Sequence, residues 1–257
     1  MFFAKPGEYE ATGLYSVGHF VLLIITTLVI CIAIKFTKNK KDNEVKKIIQ
    51  ILTIVMWILE ITKIIFNLAI GNVQNPNTYI PLYFCSLILY AGIFSGFCKG
   101  KLKKIGDVFI ATGGLVAGIV FVICPNTSLS TYPIFHFISL QSFILHGSMI
   151  YLGILVNITN YVDYNLKDIK YYAILIVAIS VVAFIFNNIF DSNLMFISKD
   201  FPGTPIHILY TISGNMFTFL MIAIQATIPF YLMYFIWKFM PKKIKKNQLQ
   251  NRNKIVT

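Results

Sequence analysis

Negative charge is scarce in this chain. Ten Asp and Glu stand against 22 Lys and Arg, and charged residues of both signs fill only 12% of its 257 positions. Soluble domains carry about a quarter charged residues, so the composition excludes an ordinary soluble domain. Cysteine is also sparse: Cys31, Cys85, Cys98 and Cys124 all fall in or at the ends of apolar runs. No CxxC pair, metal-ligand spacing or disulfide framework joins them, and no metal or cofactor is implied. The opening "MFFAKPGEYEATG" lacks the basic start, apolar core and small-residue cleavage site of a signal peptide, so the first span is expected to remain in the mature protein. Neither a 20–50-residue repeat nor an inverted pair of halves is visible.

What the chain has instead is long apolar runs: 57% of its residues are hydrophobic and its mean hydropathy is +0.73. Crossing a bilayer takes about 20 apolar residues. Seven stretches qualify: 14–36, 48–70, 80–98, 105–124, 136–156, 170–190 and 206–238. The third is short, and the seventh is long enough to tilt or project into the cytosol. The expected fold is an all-α, seven-helix membrane bundle forming one domain, followed by a basic tail over 239–257.

The lysines orient it. Lys35, Lys38, Lys40, Lys41, Lys46 and Lys47 follow the first span, and Lys99, Lys101, Lys103 and Lys104 follow the third. Lys167 and Lys170 enter the sixth; Lys238, Lys242, Lys243, Lys245, Lys246, Arg252 and Lys254 follow the seventh. Only Lys5, Lys63 and Lys199 fall elsewhere. The positive-inside rule then puts the N-terminus outside and the C-terminus in the cytoplasm of a cell-membrane protein. The net charge of +12 reflects topology and contact with anionic lipids at the cytoplasmic face, and not nucleic-acid binding.

Ionisable groups within a bilayer are costly, so each is a candidate for function. At about 1.5 Å per residue, His19 lies one turn below the outer end of span one and Cys85 one to two turns below that of span three. His136 sits at the outer mouth of span five and His146 about three turns deeper. Asn187, Asn188 and His207 are near outer ends too. Helical spacing aligns Trp57, Glu60, Lys63 or Ile64, and Asn67 on one face of span two, and places Glu60 and Lys63 within pairing reach. Ser139, Ser142 or Phe143, His146, Met149 and Gly153 align in span five, as do Ser180, Asn187 and Asp191 in span six. Simpler readings stand beside these. Cys31, Cys98 and Cys124 read as packing residues, and "ATGGLVAG" as close helix contact through Gly113, Gly114 and Gly118. Asp107 reads as a partner for neighbouring lysines.

Three motifs carry a resemblance: Pro81, Leu82 and Cys85 opening span three; His136, Phe137, His146 and Gly147 in span five; and Asn188, Asn193, Met195 and Phe196 before a Pro-containing loop. His19 and Glu60 also fit. Together they resemble the bacterial YwaF-like integral membrane proteins, related to the eukaryotic transmembrane protein 164. The resemblance implies seven helices and, through the eukaryotic member, acyl transfer between phospholipids by a cysteine. The group is also similar to membrane hydrolases that use threonine and histidine. By the motif, Cys85 is the nucleophile and His146 the base; many relatives have histidine where this chain has Tyr83. Asn187, Asn188, Tyr83 and His136 are candidates for substrate or oxyanion contact, with Glu60, Lys63 and His19 as supporting polar groups. Membrane phospholipids would be the substrates. The competing reading is a transporter or ligand-binding membrane protein with an outward-facing polar cavity, which explains Glu60 and Lys63 without bond cleavage.

Overall fold

The computed structural model describes residues 1–71 and 78–239, and every regular element among them is helical. Helix α1 runs Val17–Thr37, α2 Asp42–Ala69, α3 Leu87–Phe97 and α4 Gly100–Ile123. A short α5 at Asn126–Leu129 precedes α6 (Phe137–Ile158), α7 (Ile169–Phe190), α8 (Pro205–Ser213) and α9 (Phe217–Phe239). The starts are chemically marked. The Ser16 side chain caps α1 by accepting from the His19 N–H, and Thr204 caps α8 with Pro205 in its first turn.

Apolar residues fill the interior and also cover much of the exterior, unlike in a soluble protein. Ile24, Leu28 and Val29 on α1 and Ile174, Val181 and Ile189 on α7 are exposed, whereas Glu60, Asp107, Gln141, His146 and Asn187 are buried. Lipid offers no hydrogen bonds, so polar groups turn inward and apolar ones outward. Among the described residues six helical segments are long and apolar enough to cross a membrane, and of these α4 and α6 form the buried centre. They meet closely because Gly118 has no side chain: a Cβ there would lie 2.9 Å from the His146 carbonyl oxygen. Gly106 does the same for α3 and α4, where a Cβ would collide with the Ala91 carbonyl oxygen. The small-residue run thus packs as its sequence implies.

The third expected span differs. Helix starts only at Leu87, and its 11 residues rise about 16 Å, roughly half a hydrocarbon core. Pro81 brings no N–H, and the Leu82 carbonyl accepts from Met195 N–H at 3.0 Å, so the chain ahead of α3 bonds to a distant loop instead of winding. The seventh expected span also breaks: at Gly214 the backbone takes φ +50°, and a 3₁₀ turn over Gly214–Met216 separates α8 from α9. The expected tail over 239–257 lies outside the described residues beyond Phe239.

The two ends of the bundle differ in chemistry. At one, Gln50 donates to the Gly96 carbonyl at 2.8 Å, and buried Asp107 takes Ser95 Oγ and Lys103 Nζ, each at 2.5 Å. Lys103 also lies over the Tyr161 ring, and Lys104 pairs with Asp168 at 3.3 Å. These contacts gather the lysine-bearing connections together. At the other end the N-terminal segment folds over α5 and the start of α6. There Gly13 N–H donates to the Leu129 carbonyl at 2.8 Å and Phe137 N–H to that of Phe2 at 2.9 Å.

Candidate functional site

Toward the end away from the lysines, α2, α6 and the turn before α3 enclose a cavity of about 150 Å³. Glu60, Lys63 and Asn67 line it from α2, and Gln141, Ser142 and His146 from α6. Tyr83, Cys85 and Ser86 line it from the turn, with Thr127 and Tyr132 near α5. The face read on α2 therefore exists as a wall. Trp57, one turn along, leaves the cavity and donates its indole N–H to the Leu89 carbonyl at 3.2 Å.

The charged pair is present. Lys63 Nζ lies 2.5 Å from Glu60 Oε1, with the carboxylate side chain 2% exposed and the lysine 19%. Gln141 Nε2 makes a long 3.4 Å bond to the second carboxylate oxygen. An ion this buried costs several kcal/mol unless paired, and the i,i+3 spacing supplies the pairing.

His146 is fixed in a defined way. Its Nδ1 lies 2.7 Å from the Ser142 carbonyl oxygen, which can only accept, so Nδ1 carries the hydrogen. The ring stacks on Phe121 with centroids 3.6 Å apart. Nε2 is then the lone-pair nitrogen, buried and without a hydrogen-bond partner. Cys85 is a free thiol in the turn immediately before α3. No cluster of three or more His, Cys, Asp or Glu suited to a metal ion occurs among the described residues.

Other residues singled out by the sequence lie outside this cavity, and their polar atoms are engaged. His19 accepts from Tyr15 N–H at 3.1 Å through Nδ1, and its Nε2 sits 3.0 Å from the Val122 carbonyl oxygen. His136 caps α6: Nδ1 accepts from Ile138 N–H, Nε2 reaches the Ala4 carbonyl at 3.1 Å, and the ring stacks on Tyr132. Asn188 is exposed and donates back to the Phe184 carbonyl at 2.7 Å. His207 is exposed and pairs with Asp200 at 2.7 Å.

Asn187 has a full set of bonds. It donates to the Leu194 carbonyl at 3.0 Å and Ser198 Oγ at 2.7 Å, and accepts from Ser192 Oγ and Leu194 N–H, both at 2.7 Å. The loop it holds contains Met195 and Phe196, both at positive φ. Gln225 grips the Met195 carbonyl at 2.8 Å, and the Phe196 ring packs on Tyr83 at 4.9 Å. The "NLMF" motif is thus a brace behind the segment that carries Cys85. Gln141, Thr127 and Tyr132 went unnoticed in the sequence, since nothing in their spacing ties them to α2.

A larger apolar groove of about 490 Å³ lies among α1, α2 and α6, lined by Ile25, Val29, Leu52, Ile144 and Gly147 among others. Its α6 residues face away from Ser142 and His146 by helical periodicity, so α6 separates groove from cavity.

No curated protein and no solved structure matches the chain at a significant level. A family model does: that of the TMEM164 family, over residues 14–237. That match takes in α1 to α8, all but the last two residues of α9 and every residue lining the polar cavity, and this multi-pass membrane chain belongs to the TMEM164 family.

Proposed function

We propose that this chain is a membrane-embedded acyltransferase or lipid hydrolase that acts on phospholipid acyl chains through Cys85 and His146. One observation carries the reading: a buried imidazole nitrogen without a partner, His146 Nε2, borders the same small cavity as a free thiol. A base left unsatisfied in a buried site costs stability, and that cost is explained if a proton is transferred there.

In the proposed reaction Nε2 takes the Cys85 proton, and the thiolate attacks the ester carbonyl of a phospholipid. The carbonyl π bond opens to an oxyanion; its collapse expels the lysolipid alkoxide, which takes the proton from the imidazolium. The acyl chain remains as a thioester. A second alcohol, or water in the hydrolase case, gives its proton to Nε2, attacks the thioester and restores the thiol. Tyr83 contributes a hydroxyl to the lining, and Gln141 an amide.

The same reading includes orientation. With the lysine-bearing connections cytoplasmic, the cavity lies in the outer half of the bilayer, at the depth of ester carbonyls, and the cytoplasmic lysines contact anionic lipids. We read α3 and the turn before it together as a seventh crossing, a reading supported by α2 ending and α4 beginning at opposite ends of the bundle. Purified protein incubated with acyl-labelled phospholipid should acquire label on Cys85 that hydroxylamine releases. The transporter alternative, drawing on the Glu60–Lys63 pair, expects no such label and a solute flux that survives Cys85→Ala.

A further inference from the structure

The geometry points to Lys63 as the group that holds negative charge in this cavity, first the Cys85 thiolate and then the acyl oxyanion. The second half of that role rests on the acyl-transfer reading; the first does not. Three observations carry it.

Lys63 is the one lysine or arginine among the described residues lining the cavity. Its ammonium has three N–H donors, and Glu60 is the partner it engages, at 2.5 Å. A charge so placed in a membrane protein is expensive and calls for a use. Meanwhile three of the four side chains that looked suited to an oxyanion are committed: Asn187 to its loop, Asn188 to the Phe184 carbonyl, His136 to Ala4 and Ile138; Tyr83 lines the cavity but carries no positive charge. Finally, the cavity that the unpartnered His146 Nε2 borders is also lined by a thiol whose negative form needs a counter-charge. Glu60 then has a defined part as a positioning residue. It keeps the ammonium in the cavity while the site is empty, and it competes with any anion formed there.

The ionisable groups that line the cavity with Cys85 are Glu60 and Lys63 from α2, Tyr83 from its own segment, Tyr132 ahead of α6, and His146 from α6. Glu60 and Lys63 are of opposite sign, which gives the test its power. A merely structural pair predicts that breaking it from either side has the same effect. A counter-charge role predicts opposite effects.

The test uses the full-length chain in nanodiscs, with Cys31, Cys98 and Cys124 replaced by Ala, reacted at neutral pH with methyl methanethiosulfonate. The reagent consumes thiolate: the sulfur forms a methyl disulfide and methanesulfinate leaves. Lys63→Met should slow modification at least about tenfold, because a unit charge at a protein's effective dielectric is worth that much even about 12 Å away. Lys63→Arg should stay within about threefold, and Glu60→Gln should react faster than the parent. If Lys63→Met does not fold, the double variant Glu60→Gln with Lys63→Met leaves no uncompensated charge and should react more slowly than Glu60→Gln alone. Equal rates for that pair, or for Lys63→Met and the parent, overturn the proposal. Acyl transfer measured in parallel separates the two readings. A parent with no turnover, alongside opposite shifts in thiol reactivity, refutes acyl transfer and supports Lys63 as the thiolate's counter-charge.

Discussion

His146 donates its Nδ1 hydrogen to the Ser142 carbonyl at 2.7 Å, one turn back along the same helix. That single bond decides the tautomer, because a carbonyl cannot donate in return. It leaves Nε2 as the acceptor, and Phe121 stacked on the ring blocks its rotation away. In the proposed mechanism the imidazole is thereby prepared as a base by its own helix, with no carboxylate partner. In this arrangement Glu60 is engaged with Lys63 and not with a histidine.

Cys85→Ala should abolish acyl transfer while leaving a folded, membrane-inserted protein. His146→Ala should lose comparable activity, since nucleophile and base act as a unit and their losses do not add. Ala at Cys31, Cys98 or Cys124 should keep activity. Turnover of labelled phospholipid by each purified variant measures this, and wild-type turnover by Cys85→Ala would remove the cysteine mechanism.

Orientation has its own test. A cysteine at Asn126, in α5 near the N-terminal segment, should react with an impermeant thiol reagent on intact cells. Native Cys98, next to the lysines that open α4, should react only after the membrane is breached. The reverse pattern would turn the bundle over and move the cavity to the inner half.

The wall formed by Glu60, Lys63 and Asn67 was legible in the sequence because helical spacing alone determines it. Counting residues from the ends of the apolar runs put Cys85 and His146 within about one turn of each other in depth, and both line one cavity. What stayed hidden depends on contacts between distant segments. Gln141 meets Glu60 across 81 positions. The Leu82 carbonyl that delays the start of α3 is taken by Met195, on a different connection. Asn187 read as an oxyanion donor because a buried amide near a membrane face has that chemistry, but its four bonds all go to Ser192, Leu194 and Ser198, within the next turns of chain. Periodicity describes faces, and cannot say that a loop folds back onto the end of its own helix.

The Glu60–Lys63 pair should also appear in stability. Glu60→Gln and Lys63→Met should each destabilise the protein, because either leaves one buried charge uncompensated, at a cost on the order of 3–5 kcal/mol in soluble precedents. The double variant should lose clearly less than the two losses added together. Strict additivity in reversible unfolding from mixed micelles would mean that the pair does not interact.

Asn187 and Asn188 are adjacent and chemically identical, yet the structure gives them opposite weight. Asn188 is exposed and holds one carbonyl of its own helix, so Asn188→Ala should change stability by no more than about 0.5 kcal/mol. Asn187→Ala removes four bonds from a buried residue and strands the Leu194 N–H, at a cost of about 2–4 kcal/mol. The damage should also travel. The freed loop includes Met195, whose N–H holds the Leu82 carbonyl, and Phe196, which backs Tyr83. Thiol modification of Cys85 should therefore change in Asn187→Ala at temperatures where the bundle remains folded, and should match wild type in Asn188→Ala. Equal behaviour of the two variants would show that the loop does not support the cysteine segment.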